Sequence, residues 1–315
     1  MPVQAATPKP ASALLAPLGL TITALFWGAM IPISHALVSQ VYAPLFLATL
    51  RYIAPTPVLL LMCLLLDRRW PFRRDLPLRP LFLLGLAMAG FSLCFAFGVL
   101  QSDPVRAAIV MSSAPLLATL LARIMYRMPL ERGFKLALIA AIVGGAMVAL
   151  DAIKPRSGAP EPPIPYLGEL LLVLANVIWT WYSMKAQEWL VPRGLSQMQI
   201  SFLTTFAGLL VMAVVIGCAE SLAPGQVPTS WPDGRTMMMI LWMGVGAAGI
   251  AVVLWNFGVS HVGVPVASIF GNLAPVFSVL IAYSFFGASL SVQQLAGGAI
   301  ILAGILRMQW LRLRR

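Results

Sequence analysis

Ten side chains in this 315-residue sequence have the types and spacing to hold a small molecule: Trp27, Trp179, Trp255, Phe95, Asn176, Asn256, Asn272, Ser92, Ser112 and Ser268. Their chemistry is aromatic contact and neutral hydrogen bonding, so it is recognition without bond cleavage. Several share a helical face. Ser268, Asn272 and Pro275 fall at i, i+4 and i+7, Ala108, Ser112 and Pro115 repeat that pattern, and Asn176, Trp179 and Ser183 form a third set. An Asn buried in an apolar environment must find partners, and a substrate amine, a carboxylate or a water would serve. The same residues also read as glue between helices, and the tryptophans as packing or interface anchors. Trp70, Trp231 and Trp310, near apolar-segment ends, read as interface residues.

The motifs of an enzyme are missing. There is no His-Glu-x-x-His, no Gly-x-Ser-x-Gly and no Gly-Lys-Ser/Thr phosphate loop beside any of the four lysines. Nucleotide hydrolysis, a cofactor and a metal are therefore not expected, and any energy must come from a gradient, an exchange partner or the substrate's own concentration. Cys63, Cys94 and Cys218 each lie in an apolar stretch and read as packing residues. Arg51 is the one full charge well inside an apolar run. Two readings stand for it: binding an anion such as a carboxylate, or a structural or gating role, reaching the surface or pairing with backbone or Asp103. His35 reads as a satisfied polar residue, with proton coupling as its alternative. Pro115 and Pro275 remove helix hydrogen bonds and are candidate hinges.

These residues need elements to position them, and the composition says which kind. The chain is 60% hydrophobic and 10% charged with mean hydropathy +0.90; a soluble domain carries about 25% charged residues. That excludes an ordinary soluble enzyme, a disordered chain and a coiled coil. A bilayer core of about 30 Å takes about 20 apolar helical residues. This ruler predicts ten spans: 17–38, 43–66, 79–101, 104–126, 133–151, 167–189, 197–219, 236–259, 264–286 and 291–311. None of the ten Asp and Glu falls near the middle of a span. The first span continues straight into another and reads as an uncleaved helix.

The net charge of +11 could suggest nucleic acid, but topology accounts for it. With a cytoplasmic N-terminus and alternating spans, sixteen Lys and Arg fall inside, from Lys9 through the 68–79 and 123–135 clusters to Arg315. Four fall outside: Arg106, Lys154, Arg156 and Arg235. That asymmetry places both termini in the cytoplasm, with anionic lipid and no nucleic acid as the partner of the basic face.

An internal repeat organises the spans. The polar, Pro-rich segment 154–166 separates five spans in 1–153 from five in 167–315. An offset of 160 carries Ala114-Pro115-Leu116 onto Ala274-Pro275-Val276, Phe97-Gly98-Val99 onto Phe257-Gly258-Val259, and Gly144 onto Gly304. An odd number of spans per half inverts the second half, the arrangement of secondary transporters with a site near the midplane. Small residues four apart, Ala140/Gly144, Ala141/Gly145 and Ala299/Ala303, predict close packing of spans five and ten within the bundle or in a homodimer.

The motifs together resemble the EamA-type members of the drug/metabolite transporter superfamily. The resemblance rests on Phe26-Trp27-Gly28-Ala29, Leu50-Arg51-Tyr52, Ser113-Ala114-Pro115-Leu116 followed by Glu131, Gly168-Glu169-Leu170, Leu254-Trp255-Asn256 and Leu295-Ala296-Gly297. It spans both halves. One departure is that Leu290-Ser291 stands where Leu130-Glu131 would repeat. The resemblance implies an all-α polytopic membrane protein of ten transmembrane helices in two inverted five-helix repeats, exporting small metabolites, often amino acids. The expectation is an alternating-access carrier in a bacterial-type inner membrane. No mid-membrane carboxylate is present to hold a cation, which favours a zwitterion. A passive channel, a lipid-handling protein and a non-transporting sensor are the rival readings.

Overall fold

The computed structural model describes residues 10–40, 43–102, 104–130, 132–152, 166–228, 232–271, 273–288 and 290–313. Every element among them is helical: α1 Pro10–Gln40, α2 Pro44–Ile53, α3 Pro55–Leu65, α4 Leu78–Leu100, α5 Pro104–Met111, α6 Ala114–Tyr126 and α7 Phe134–Ala152. The second half continues with α8 Leu167–Leu190, a 3-10 turn Val191–Arg193, α9 Gln197–Leu222, α10 Gly234–Leu241 and a π-helical segment Trp242–Ile250. It closes with α11 Ala251–Gly271, α12 Leu273–Phe286 and α13 Val292–Leu313. Among the described residues seven helices are long and apolar enough to cross a membrane, and three shorter apolar helices fall in predicted spans five, nine and ten. Most of the 154–166 linker, together with Glu131 and Asn272, lies outside the described residues.

Several predicted spans are broken, and proline explains two of the breaks. Pro55 and Pro57 cannot donate to the carbonyls of Arg51 and Ile53, so span two divides into α2 and α3 at Ala54. Span four divides into α5 and α6 at Ser112-Ser113, just before Pro115. Span eight holds nine π-helical residues, whose small Gly-Val-Gly-Ala-Ala-Gly run lets the backbone widen against its neighbours. Helical hydrogen bonding also runs unbroken through 260–263, where a loop was predicted between spans eight and nine. Ser291, the departure from the expected acidic residue, caps α13: its hydroxyl accepts from Gln294 N at 3.0 Å, and Gln294 Oε1 accepts from Ser291 N at 3.3 Å.

Helices from the two halves pack together. α1 lies on α11 and α12, α4 on α8 and α9, and α7 on α13. Small residues set these approaches. A Cβ on Gly28 would lie 2.6 Å from Ala274 O and 2.7 Å from Phe277 Cβ of α12. A Cβ on Gly144 would collide with Gly297 O, and one on Gly304 would lie 2.5 Å from Ala140 Cβ. Gly144 and Gly304 therefore close the α7–α13 contact, whereas Ala299 and Ala303 face outward. Cys63 is buried, Cys94 half-buried and Cys218 exposed, all as free thiols.

Gly28→Val tests the α1–α12 contact. The added isopropyl group must push α12 from α1, and a loss of about 1–3 kcal/mol is expected, the usual penalty of overpacking. A lowered thermal midpoint of the purified protein in detergent checks it; an unchanged midpoint would contradict the geometry.

Candidate functional site

One cavity of about 110 Å³ lies between the halves. Its walls come from α1 (Trp27, Met30, Ile31), α2 (Arg51, Tyr52), α4 (Met88, Phe91, Phe95) and the α5–α6 break (Met111, Ala114, Ala118). The second half adds Asn176, Trp179, Thr180 and Ser183 from α8, Ala247 and Ala248 from the π-helical segment, Val252, Trp255 and Gly271 from α11, and Ala274 from α12.

The three tryptophans form the floor of this site. Trp27 and Trp179 meet edge to face with centroids 5.3 Å apart, Trp27 and Trp255 at 5.0 Å, and Trp179 and Trp255 at 6.4 Å. Phe91 extends the aromatic wall at 5.2 Å from Trp179. Such ring pairs each contribute about 0.5–1.5 kcal/mol beyond burial, so the cluster is preformed. Trp27 is also locked by its indole N–H, which donates to Ala247 O at 2.9 Å. The Thr23 hydroxyl, one turn earlier on α1, lies 3.2 Å from Ala251 O. α1 thus reads the backbone of the π-helical segment and of the first turn of α11.

Asn176 performs the matching task from the second half. Pro115 has no N–H, so the carbonyl four residues before it, Met111 O, loses its ordinary helical donor. Asn176 Nδ2 donates to Met111 O at 3.3 Å and to Val110 O at 3.4 Å, with Ser113 Oγ at 3.5 Å. A side chain of α8 therefore completes the broken helix at the cavity wall.

Arg51 carries the electrostatics. The residue is only 6% exposed, and its guanidinium carbon lies 4.8 Å from the Phe95 ring centroid and 5.1 Å from that of Phe91. Its Nε and Nη1 meet no hydrogen-bond partner among the described residues, nor do Trp255 Nε1 and Ser183 Oγ. A desolvated cation–π contact contributes about 2 kcal/mol, against a desolvation penalty of several kcal/mol for a buried ion. The rings alone do not offset the burial.

Other candidates face elsewhere. Ser92 Oγ donates to Ala48 O at 3.2 Å, tying α4 to α2. Ser112 Oγ donates to Ile109 O at 2.6 Å within its own turn, and Asn256 Nδ2 donates to Ser201 Oγ at 2.7 Å between α11 and α9. The side chains of Ser268, Pro115 and Pro275, and all of Asn272, lie outside the described residues. Sequence reasoning missed Tyr52, Met88 and Phe91. Helical spacing held the signal: Met88, Phe91 and Phe95 fall at i, i+3 and i+7 on one face. Tyr52 is buried and anchored by its hydroxyl, which donates to Met88 O at 2.5 Å. Half-buried His35 does not line the cavity.

A double-mutant cycle isolates the Asn176–Pro115 relation. Asn176→Leu should cost about 1–2 kcal/mol of stability by leaving a buried carbonyl unmet. Pro115→Ala restores the N–H that Met111 O lacks, so the same Asn176→Leu change should cost markedly less in that background. Thermal unfolding in detergent reads both; strictly additive effects would contradict the bridge.

The family model described as "EamA-like transporter family" matches residues 14–150 and again 166–308. A Bacillus subtilis protein named "Uncharacterized transporter YyaM" is 24% identical over 70% of this chain and 69% of its own length. The "Aromatic amino acid exporter YddG" of Ancylobacter novellus is 26% identical over 59% of this chain and 61% of its own. A solved crystal structure with a TM-score of 0.63 and 22% identity, covering 92% of this chain and 96% of that one, has the same fold. The chain belongs to the EamA-like transporter family and is a multi-pass membrane transporter rather than an enzyme.

Proposed function

We propose that this protein is an alternating-access secondary carrier that exports amino acids, chiefly those with aromatic or large apolar side chains, through the cavity between its halves. The observation that carries the reading is the walling of that cavity by Trp27, Trp179 and Trp255, mutually in contact. The named activity of the Ancylobacter novellus relative is consistent with it. In this reading the chain crosses an inner membrane ten times as two inverted five-helix repeats, 1–153 and 167–315, joined by the 154–166 linker, with both termini cytoplasmic. Support comes from the family model matching once in each half and from reciprocal packing, α4 on α8 and α9 beside α1 on α11 and α12. The break at Ser112-Ser113 and the π-helical segment Trp242–Ile250 give each half an irregular helix at the cavity, an element on which one repeat can rock against the other.

Proteoliposomes provide the test. Labelled phenylalanine or tryptophan should be taken up by counterflow and saturate. Replacing Trp27 and Trp255 by Ala removes two ring faces, each contributing about 1.5–3 kcal/mol when buried, so uptake should fall at least about tenfold. Unchanged uptake would remove the proposed site. Flux that rises linearly without saturation would favour a channel instead.

A further inference from the structure

We infer that the cavity contains a carboxylate subsite at Arg51, and that its ligands are carboxylic acids with an apolar or aromatic body for which an amino group is dispensable. The inference rests on the reading of this cavity as the transported molecule's site, and it narrows the ligand class by the polarity of what the protein leaves unmet. Arg51 Nε and Nη1, Trp255 Nε1 and Ser183 Oγ have no hydrogen-bond partner among the described residues, and all three residues line the one cavity. All are at least nine-tenths buried, at 6%, 5% and 2% exposure.

The guanidinium and the indole N–H can only donate, and the hydroxyl can donate or accept. What the cavity lacks is therefore acceptors. An ammonium group brings further donors, which only the Ser183 hydroxyl could accept, whereas a carboxylate brings two oxygens and about four lone-pair sites. Charge points the same way. Arg51 is the only charged residue among the described lining residues, with no Asp or Glu beside it. The Phe91 and Phe95 rings stabilise the guanidinium from their faces but cannot accept its N–H groups as an oxygen does. A buried cation whose donors are unmet is completed best by an anion, and bidentate carboxylate matches the guanidinium fork.

The body of the ligand follows from what adjoins Arg51. Rings continue from Phe91 to Trp179 and on to Trp255. An acid held at Arg51 thus lays its hydrocarbon or aromatic portion along indole faces. An amino acid satisfies this pattern, and so does its deaminated counterpart.

Titration calorimetry on the purified full-length protein in detergent tests the subsite, using 3-phenylpropionate, phenylalanine and phenethylamine. The two acids should bind, and the amine at least about tenfold more weakly, the discrimination expected of a charge-assisted contact. Arg51→Gln should weaken both acids at least about tenfold, with Arg51→Lys falling between. Phenethylamine binding as tightly as the acids, neither acid binding, or Arg51→Gln binding the acids as well as the unaltered protein would each overturn the subsite. If Arg51→Gln does not fold, the comparison of three ligands on the unaltered protein still decides. Acids that bind through Arg51 while no amino acid crosses a proteoliposome membrane would leave the subsite standing and refute the export reading.

Discussion

Hydrocarbon offers no water to an unpaired backbone carbonyl, so every irregular turn of helix in the membrane needs a partner from within the protein. In this chain the two halves supply those partners to each other. Trp27, from the first half, donates to Ala247 O in the π-helical segment of the second. Asn176, from the second half, donates to Met111 O and Val110 O at the break that Pro115 makes in the first. The exchange is reciprocal. Because both irregular segments line the cavity, the interactions that join the halves also shape the space between them. A carrier that opens by moving one half against the other would have to slide or loosen these contacts, so their modest strength matters. Interhelical hydrogen bonds in membranes average about 0.6 kcal/mol, far below the cost of an unmet charge.

The cavity itself divides its polar groups into two sets. Trp27, Asn176 and Tyr52 have their donors committed to backbone carbonyls. Arg51, Trp255 and Ser183 do not. The first set holds the walls in place, and the second is left for a ligand. Aromatic rings between them make the surface rigid, since tryptophan and phenylalanine have few rotamers to lose on binding. Preformed walls with unfilled donors are the arrangement in which a ligand adds interactions without paying to organise the site.

Much of this was readable from residue types and periodicity. The apolar runs located the helices, and the i, i+3, i+7 spacing of Asn176, Trp179 and Ser183 brought three lining residues onto one face. The absence of mid-span carboxylates left Arg51 as the charge to explain. What stayed hidden depends on tertiary contact. A π-helical stretch differs from an α-helix by one residue of register, and no periodicity over nine residues announces it. Ser92, Ser112 and Asn256 attracted attention as polar residues in apolar runs, yet each meets a neighbouring carbonyl or hydroxyl away from the cavity. Polarity said that they need partners; only packing says which. The proline in α6 was legible as a break, whereas its repair by a residue 61 positions away was not.

A structure of the protein with phenylalanine bound tests the central claim most directly. The account predicts a carboxylate within hydrogen-bond distance of the Arg51 guanidinium, a phenyl ring against Trp179 and Trp255, and Asn176 still seated on the carbonyls of Val110 and Met111. Phenylalanine bound outside this cavity, or bound within it with its carboxylate turned away from an Arg51 that has paired with the protein instead, would contradict it.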